Sequence, residues 1–502
     1  MKNVINRNWK KAEIAIAECV RRINNPKKYK TLGFWCDYLG GRLNKKAENM
    51  RVMVVNQICT KWSTFLPKNS LCMIESAEDL REIKGADSLV FFSNRDYSDW
   101  PCLIVENPME AYAKMCRYYR DLQCKMSMVA ITGSIGKTTV KNMIGEVLDT
   151  QFKTVWTDAN VNAKTGVGFA VQHIPKWAEK MVQEVHEGNP DEVQYISELL
   201  YPNTVVITSI DKSHFVRFGS EEKILKEVCS ITKKMQPTGV VIVNMDEFSR
   251  FDLLNGRTSV TISTSNVEAD FYADSVKVDE AGLSFYANVK AKGERYPVRL
   301  FDIWAVHNVN CALYAFAAAY CEGVVPSNII KGLANYRTKG QRQNVLKTNG
   351  GIVVYADCYN AIAKSVRSAI VACDLIPVIG KRIAVLGDVQ EAGEITASTH
   401  REILGYVNES KFNVLLLKGV NLKNALEHIK MKDSFTIHCC DSNEDISVLL
   451  KSIVRSGDLV LFKSSHSGKL EECIVKVWPE LKKEMDHESF TFNKWKTRSL
   501  YY

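Results

Sequence analysis

The stretch Met128-Val-Ala-Ile-Thr-Gly-Ser-Ile-Gly-Lys-Thr-Thr139 joins an apolar run, two glycines and a Lys-Thr-Thr sequence without interruption. The apolar run predicts a buried strand, and the two glycines predict a tight turn after it. The apolar residues that follow recur at helical spacing: Val140, Met143, Ile144, Val147 and Leu148. A strand, a glycine turn and a helix N-terminus in this order predict a phosphate-binding loop in an α/β fold.

The residue types of this loop suit a phosphate group. Gly133 and Gly136 allow backbone N–H groups to turn toward an anion, and the helix start adds its positive dipole end. Lys137 supplies a cation, and Thr138 offers a hydroxyl to Mg²⁺. The full G-x-x-x-x-G-K-[ST] pattern is not met, because Ile131 stands at its first glycine position. An ordinary turn between a strand and a helix is therefore the alternative to a nucleotide site.

Length and composition indicate a multidomain enzyme. The 502 residues exceed what one hydrophobic core usually organises, which predicts about three domains. With 46% hydrophobic and 25% charged residues, the composition is typical of a globular protein. The sequence contains no run of about 18 apolar residues and no apolar signal-peptide core, so we expect a cytoplasmic protein without membrane insertion.

The distribution of charge and of cysteines argues against a nucleic-acid-binding protein and against a disulfide-rich protein. The net charge is +9, but the 66 basic residues are interleaved with 57 acidic ones along the chain. An anionic substrate or a solvated basic surface accounts for this excess, and we expect no nucleic-acid binding. The 15 cysteines include no C-x-x-C pair, which predicts reduced, buried thiols rather than a disulfide framework.

The alternation of apolar runs along the chain predicts an α/β protein of three domains. Residues 1–124 are expected to form a small N-terminal α/β domain with an extra amphipathic helix up to about residue 30. Residues 125–337 predict a central P-loop domain with a doubly wound, mostly parallel sheet, and residues 338–502 a Rossmann-like C-terminal α/β domain. The runs that predict strands are Arg51 to Val55, Ser88 to Phe92, Cys102 to Val105, Val129 to Thr132, Val205 to Ile210, Val240 to Asn244, Ile352 to Ala356, Arg382 to Leu386, Val414 to Leu417 and Leu459 to Phe462.

Further motifs follow the loop in a distinctive order. They are Thr157-Asp-Ala-Asn-Val-Asn162, Pro202-Asn-Thr-Val-Val-Ile-Thr-Ser-Ile-Asp-Lys-Ser-His214, Phe218-Gly-Ser220, Val241-Ile-Val-Asn-Met-Asp246, His307-Asn-Val-Asn-Cys-Ala312 and Gly340-Gln-Arg342. Together with the loop, this order resembles the Mur ligase family, the ATP-dependent amide-forming enzymes of peptidoglycan assembly. The resemblance covers about residues 100 to 480.

The motifs nearest the C-terminus resemble one branch of that family, which adds D-alanyl-D-alanine. They are Tyr355-Ala-Asp-Cys-Tyr-Asn-Ala361, Ala384-Val-Leu-Gly-Asp-Val-Gln-Glu-Ala-Gly393 and His400. The resemblance implies that ATP phosphorylates a carboxylate, an amine attacks the acyl phosphate, and phosphate leaves. It also implies ATP and Mg²⁺ as cofactors, a small-molecule acid and a small-molecule amine as partners, and a monomer.

The resemblance assigns roles to individual residues. It places the catalytic roles on Lys137, Glu184, His214 and Arg342. It places one metal ion on Thr138 and Glu184 and a second metal ion on His214. It places the nucleotide on Gly133, Ser134, Gly136, Lys137, Thr138, Thr139, Asn308, Arg342 and Asp357, with the amide of Asn308 reading the adenine edge. It places the acid and amine substrates on Asn160, Asn162, Tyr359, Asn360, Lys463 and His466.

Several of these residues have simpler interpretations. Glu184 is alternatively a surface carboxylate, and His214 a structural loop histidine. Asn308 is alternatively a helix N-cap, which is compatible with a ligand role. Arg342 and Asp357 are alternatively members of surface ion pairs.

The sequence departs from the family pattern at three places. The lysine that is carbamylated in much of the family, and helps to hold the second metal, is here Val228. Either Lys226 is displaced into its role, or Glu184 and water hold the metal, or the chemistry is impaired. The uridine-binding signature is missing at Asn56-Gln-Ile-Cys-Thr-Lys-Trp62, and the Asn-Pro after the Tyr-Asn-Ala motif is Ile362-Ala363.

Three functions therefore stay open. The first is a ligase that adds a D-alanyl-D-alanine-type dipeptide or an amino acid to a peptidoglycan-precursor-like acid. The second is a paralogue that joins a different amino acid or peptide to a carboxylate without UDP. The third belongs to another class, a nucleotide-binding switch, for which Asp246 is the metal-binding candidate, or a degenerate scaffold that binds nucleotide without turnover.

Overall fold

The computed structural model describes residues 30–55, 57–60, 69–74, 76, 79, 89–122, 126–157, 161–210, 218–390 and 395–485. The predicted N-terminal helix, Asn160 and His214 lie outside these residues. The described residues form three β-sheets of five, nine and six strands. Within the same ranges, no helix has both the length and the apolar character needed to cross a bilayer.

The first sheet has the strand order β1-β5-β4-β3-β2, parallel except for the antiparallel pair of β1 and β5. Its elements are α1 (Leu32–Leu39), β1 (Arg42–Leu43), α2 (Lys45–Glu48), β2 (Gln57–Thr60), β3 (Ser70–Met73), β4 (Leu89–Ser93), β5 (Cys102–Ile104) and α3 (Pro108–Asp121). The five strands and α3 confirm an N-terminal α/β unit.

One strand prediction in this region is wrong. Residues 51–55 form a turn and a single bridge between Val54 and Thr31 instead of a strand. The carbonyl groups of Arg51 and Met53 accept hydrogen bonds from the N–H groups of Gly33 and Leu32, at 2.8 and 2.9 Å. This apolar segment therefore satisfies its backbone against the start of α1, and it is not available for a sheet ladder.

The central sheet has nine strands in the order β14-β13-β12-β11-β10-β9-β6-β8-β7. Its elements are β6 (Ser127–Thr132), α4 (Lys137–Leu148), β7 (Thr154–Trp156), α5 (Lys164–Gln172), β8 (Lys180–Glu184), α6 (Glu192–Leu200), β9 (Thr204–Ile207), α7 (Glu221–Cys229), β10 (Val240–Asn244), β11 (Thr258–Ser263), β12 (Phe271–Asp279), β13 (Gly282–Val289), β14 (Glu294–Phe301), α8 (Asn308–Cys321) and α9 (Pro326–Asn335). The strands from β7 to β12 run parallel, and β12 to β14 form an antiparallel meander.

The central core confirms the prediction drawn from the opening stretch. β6 lies between β8 and β9, so both of its edges are hydrogen-bonded, and Val129, Ala130 and Ile131 are fully buried, as expected for a strand covered on both faces. The five apolar residues assigned to one face of the following helix all lie on the buried face of α4: Val140, Met143, Ile144, Val147 and Leu148. The strand, the turn and the helix N-terminus therefore lie inside the sheet, with β8 and β7 between them and one edge, at the carboxyl ends of the parallel strands.

The third sheet has the order β15-β16-β20-β17-β18-β19, with only β15 antiparallel to its neighbour. Its elements are β15 (Asn344–Lys347), β16 (Val353–Asp357), α10 (Ala363–Leu375), β17 (Arg382–Gly387), α11 (Thr396–Glu409), β18 (Val414–Lys418), α12 (Val420–Leu426), β19 (Thr436–Cys440), α13 (Asn443–Ile453), β20 (Leu459–Lys463), α14 (Leu470–Val477) and α15 (Lys482–Met485). The carboxyl ends of β16 and β20 are neighbours, which brings their following residues together.

Three parallel-dominated α/β sheets confirm the predicted fold class. The boundaries at residues 124 and 337 stay predictions. The cysteines in the described ranges are free thiols and all but Cys321 and Cys439 are buried, as expected for a protein without a disulfide framework.

The two glycines of the loop are expected to respond differently to alanine. Gly133 has φ +119°, and a Cβ there would lie 2.9 Å from the Thr208 carbonyl oxygen and closer still to its hydroxyl. Gly136 has φ +87°, but its nearest neighbour would be Cys311 Sγ at 3.6 Å. Gly136→Ala should cost about 1 to 2 kcal/mol through its left-handed backbone alone, and Gly133→Ala should cost more because a clash adds to the strain. Thermal unfolding of both variants checks this order, and equal losses would contradict it.

Candidate functional site

The loop between β6 and α4 presents free backbone donors. No described side chain caps α4, which starts after Gly136 in the left-handed region. The N–H groups of Ser134 and Ile135 donate to the Ser209 carbonyl at 2.8 and 3.2 Å, which fixes the loop to the chain after β9. The N–H groups in the first turn of α4 have no partner within the helix, so they are placed to bind an anion.

Lys137 lies folded across this loop. Its Nζ donates to the Gly133 carbonyl, to the Ser134 carbonyl at 3.4 Å, and to Glu187 Oε1 at 2.9 Å. The Glu187 side chain is fully buried, and that of Lys137 is 11% exposed. Sequence reasoning did not single out Glu187, and the only signal for it was its position three residues after Glu184 in the segment that follows β8.

Glu184 is a buried carboxylate that faces the loop. Its Oε2 accepts a hydrogen bond from Thr138 Oγ1 at 2.8 Å, and its Oε1 accepts one from Asn162 Nδ2 at 2.9 Å. Burial raises the pKa of Glu184, but the nearby cations Lys141, Lys137 and Arg342 and the bond from Asn162 outweigh it, so that the pKa is lowered. Glu184 is therefore an anion here, and its alternative interpretation as a surface carboxylate is wrong.

The oxygen atoms beside the loop fit a magnesium ion. Thr138 offers a hydroxyl and Glu184 a carboxylate, while Glu187 Oε2 is buried and has no hydrogen-bond partner among the described residues. These ranges contain no group of three or more His, Cys, Asp or Glu residues arranged for a metal. Magnesium is usually held by one or two carboxylates together with water and substrate phosphates, so this donor set is sufficient.

Helix α7 carries no lysine toward this site. Val228, where the family lysine is expected, is fully buried. The Lys226 side chain is 59% exposed, and its Nζ lies 3.3 Å from Glu222 on the same helix. Glu227, the residue between Lys226 and Val228, is a buried carboxylate that accepts hydrogen bonds from the backbone N–H groups of Asp191 and Val193 at the start of α6. The surface position of Lys226 does not fit a residue that holds a metal.

The side chain of Asn308 is held inside the protein by Gln343, a residue for which the sequence predicted no role. The fully buried amide of Asn308 donates to the Ala305 carbonyl at 3.1 Å and to Gln343 Oε1 at 3.0 Å. Gln343 Nε2 contacts His307 Nε2 at 2.9 Å, and the Gln343 backbone N–H donates to Asp357 Oδ1 at 3.3 Å. Asn308 is the first residue of α8 and its side chain bonds a carbonyl, so the N-cap interpretation is wrong.

A cavity of 110 Å³ separates the loop from the C-terminal sheet and its helices. Its lining includes Gly136 of the loop, Asn244 at the end of β10, Asn310 of α8 and Lys364 of α10. The Oδ1 atom of Asn310 is buried and has no partner among the described residues. Asn308 does not line this cavity, so the structure brings the neighbouring amide of Asn310, rather than that of Asn308, to the space beside the loop.

Arg342 joins the loop region to the C-terminal sheet through stacking. Its guanidinium carbon lies 4.0 Å from the centre of the Tyr359 ring, and the centres of the Tyr359 and His466 rings are 5.6 Å apart. Arg342 is also one of the cations that lower the pKa of Glu184. These contacts bring three predicted residues together, and they replace the surface ion pair proposed as the alternative for Arg342.

Lys463 and Asp357 form a buried pair at the carboxyl ends of two adjacent strands. Their atoms Nζ and Oδ2 are 2.9 Å apart, and their side chains are 1% and 10% exposed. Lys463 Nζ also donates to the Asn360 carbonyl. Asp357 is therefore a buried partner of Lys463 and of the Gln343 backbone, whereas Asn360 and His466 are exposed.

Comparison with known proteins identifies the family. Residues 131–319 match the Mur ligase middle domain, and residues 341–466 match the Mur ligase, glutamate ligase domain, so the matches cover more than half of the chain. The chain belongs to the Mur ligase family. The UDP-N-acetylmuramoyl-tripeptide–D-alanyl-D-alanine ligase of Bacillus subtilis is 29% identical to it over 378 residues, which are 74% of this chain and 80% of the relative.

Solved structures of Mur ligases share the fold. MurF from Acinetobacter baumannii superposes with a TM-score of 0.78 at 21% identity, covering 89% of this chain and 98% of that protein. The MurF ligase from Thermotoga maritima, solved in complex with ADP, has a TM-score of 0.73 at 20% identity and covers 85% of this chain and 98% of that protein. The architecture of this Mur ligase is thus that of complete MurF proteins.

The burial of His307 should make stability depend on pH. Loss of hydration lowers the pKa of His307 to about 4, against 6.5 for the free side chain. The contribution of neutral His307 is complete above pH 6.5 and is lost as the pH falls toward 4, by on the order of 3 kcal/mol at most. In His307→Gln, which retains an acceptor for Gln343, the midpoint of thermal unfolding should fall less steeply between pH 6.5 and 4.5. Parallel curves for the two proteins would show that His307 is not the group responsible.

Proposed function

We propose that this Mur ligase is an ATP-dependent, ADP-forming carboxylate–amine ligase that acts through an acyl phosphate. Its proposed reaction adds a D-alanyl-D-alanine-type dipeptide, or an amino acid, to a peptidoglycan-precursor-like acid. The observation that carries the proposal is the contact between Thr138 and Glu184 beside Lys137, which joins the glycine loop to a buried carboxylate. The name and the 80% coverage of the Bacillus subtilis relative support the same reaction.

The proposed nucleotide site combines the loop and the cavity. The first-turn N–H groups of α4 would bind the phosphates, with Gly133, Ser134, Gly136 and Thr139 shaping the turn. The adenine would be read by Asn308, or by Asn310 from the cavity. Arg342 and Asp357 would bring the C-terminal domain onto ATP. Magnesium held by Thr138 and Glu184, and a second ion held by His214, would neutralise charge on the phosphates and polarise them.

The proposed chemistry requires an anion to attack another anion. The substrate carboxylate must approach the γ-phosphate, so cations have to compensate for the repulsion. Lys137 would leave the loop carbonyls to contact the phosphates, and Arg342 would add a second positive charge. The carboxylate oxygen bonds to phosphorus as ADP leaves; the amine nitrogen then bonds to the carbonyl carbon, and phosphate and a proton are released.

The acid and amine are proposed to lie between the central and C-terminal sheets. Asn162 follows β7 and contacts Glu184, and Asn160 is proposed from the resemblance alone. Tyr359 and Asn360 follow β16, Lys463 ends β20, and His466 follows it. We propose domains of residues 1–124, 125–337 and 338–502, acting as a cytoplasmic monomer. Closure of the third domain over ATP would exclude water from the acyl phosphate.

A second candidate is a paralogue that uses an acid without UDP. The observations that favour it are the missing uridine signature at residues 56–62 and the Ile362-Ala363 pair after the Tyr-Asn-Ala motif. Ile362 precedes α10, where its N–H is bonded by Ser365, so this segment has its own helix cap. The two candidates share the chemistry and differ in substrate.

Substitution of Lys137 tests the ligase reaction. Lys137→Ala removes the cation beside the proposed phosphates, so phosphate release that depends on both an acid and an amine should fall about a hundredfold or more. Lys226→Ala is the matched control, because this exposed lysine lies on α7, and its rate should stay within about twofold of the parent. The measurement is ADP-coupled phosphate release with UDP-muramoyl-tripeptide and D-alanyl-D-alanine. ATP hydrolysis that ignores the amine would support the switch, and the absence of turnover with any acid and amine would support the scaffold.

Thermal shift with UDP-muramoyl-tripeptide separates the two ligase candidates. A ligand that binds only the folded protein raises the unfolding midpoint, so the first candidate predicts a shift that grows with ligand concentration. The same tripeptide without its UDP group is the control. A shift with the UDP-free acid alone would favour the paralogue.

A further inference from the structure

We propose that Glu187 is an additional carboxylate ligand of the magnesium that accompanies ATP. Without ATP, Glu187 pairs with Lys137; when ATP binds, the metal takes the place of Lys137 beside the Glu187 carboxylate. The inference rests on the proposed function, since it concerns the same nucleotide site. It assigns a role to a residue to which the family resemblance gave none.

The first observation is the state of the Glu187 carboxylate. Its side chain is fully buried, one oxygen is 2.9 Å from Lys137 Nζ, and the other has no hydrogen-bond partner among the described residues. A buried carboxylate with an unsatisfied oxygen is unfavourable unless a cation or a donor lies close to it. The free oxygen therefore marks a place for a further positive charge.

The second observation is what Lys137 does here. Its Nζ contacts the Gly133 carbonyl, the Ser134 carbonyl and Glu187, so the lysine occupies the loop with protein oxygens. Binding of a triphosphate requires the same ammonium group to turn toward phosphate oxygens. If Lys137 turns away, Glu187 is left as a buried anion without a partner, which is strongly destabilising. A metal that arrives with the nucleotide removes this penalty.

The third observation is the position of Glu187 relative to the proposed metal ligands. Lys137 and Thr138 are consecutive residues at the start of α4, and they contact Glu187 and Glu184 respectively. The two carboxylates therefore face the same helix turn. Two carboxylates completed by phosphate oxygens and water are a normal magnesium environment.

If Glu187 exchanges Lys137 for the metal, substitution of Glu187 should raise the affinity for the nucleotide and lower the affinity for the metal. If Glu187 only holds Lys137 in place, the two affinities should not change in opposite directions. In Glu187→Gln, Lys137 loses its carboxylate partner and is freed for phosphate. A nonhydrolysable ATP analogue without metal should therefore bind several-fold more tightly than to the parent. Mn²⁺ should bind to the protein–analogue complex roughly tenfold or more weakly, as is typical when a metal site loses a supporting residue.

Glu322→Gln is the matched control. Glu322 forms a comparable buried pair with Lys180, with side chains 5% and 13% exposed, at the opposite end of β8 from Glu184. This variant loses a buried carboxylate at the C-terminal end of α8, beside the same sheet, without touching the loop. It should be less stable than the parent, but its affinity for the analogue and for Mn²⁺ should be unchanged.

Titration calorimetry and the electron paramagnetic resonance of Mn²⁺ measure both affinities on the full chain. Glu187→Asp keeps the carboxylate on a shorter side chain, and it should recover part of the Mn²⁺ affinity that Glu187→Gln loses. The inference is overturned if Glu187→Gln binds Mn²⁺ as the parent does, or if the affinities for analogue and metal fall together. Because these are binding measurements, such a result leaves ligation itself intact, whereas failure of ligation would appear as absent acid- and amine-dependent phosphate release.

Discussion

The chain leaves β6 so close to the end of β9 that position 133 has no room for a side chain. Gly133 lies against the Thr208 backbone, and the next two N–H groups are bonded to the Ser209 carbonyl. This contact fixes where α4 begins, and α4 in turn carries Lys137 and Thr138 into the site. The buried apolar face of the helix makes that placement rigid, because five side chains anchor it in the core.

The electrostatic balance of the site follows from the same placement. Two buried carboxylates face the first turn of α4, and the cations that compensate for them are Lys137, Lys141 and, from the third sheet, Arg342. Burial alone would favour neutral carboxyl groups, so the cations are what keep Glu184 ionised. A site of this kind is prepared for a ligand that brings both negative phosphate and positive metal, since each has a partner of opposite charge already in place.

The contact between the central and C-terminal sheets depends on one side chain that satisfies several partners. Gln343 bonds His307 and Asn308 of the central part, and its backbone bonds Asp357 of the third sheet. Its φ of 51° lies in the left-handed region, which a non-glycine residue adopts only when its surroundings stabilise it. The sequence predicted the elements on either side of this contact because they are periodic and apolar. It did not predict Gln343, because an amide that bridges two domains leaves no periodic pattern.

The difference between periodic apolar patterns and single long-range contacts also explains which other features the sequence predicted and which it did not. The residues of α4 and the parallel strands were predictable from spacing and from the buried apolar runs. The segment at residues 51–55 was wrongly predicted as a strand, because its backbone partners lie on α1 and are not encoded locally. The family resemblance assigned a metal-binding role to Glu184. The proposed role of Glu187 depends on the 2.9 Å distance between its Oε1 and Lys137 Nζ, which the sequence does not show. The structure also places the amide of Asn310, rather than that of Asn308, in the lining of the cavity. The sequence could not show this, because the packing of α8 decides which amide faces the cavity.

The most direct test of this account is a crystal structure of the full chain with a nonhydrolysable ATP analogue and Mg²⁺. The account predicts that the β- and γ-phosphates lie at the turn around Gly136, within hydrogen-bond distance of Lys137 Nζ and the first N–H groups of α4, with metal density beside Thr138 and Glu184. An analogue bound elsewhere, with Lys137 still on the Gly133 carbonyl and Glu187, would contradict it.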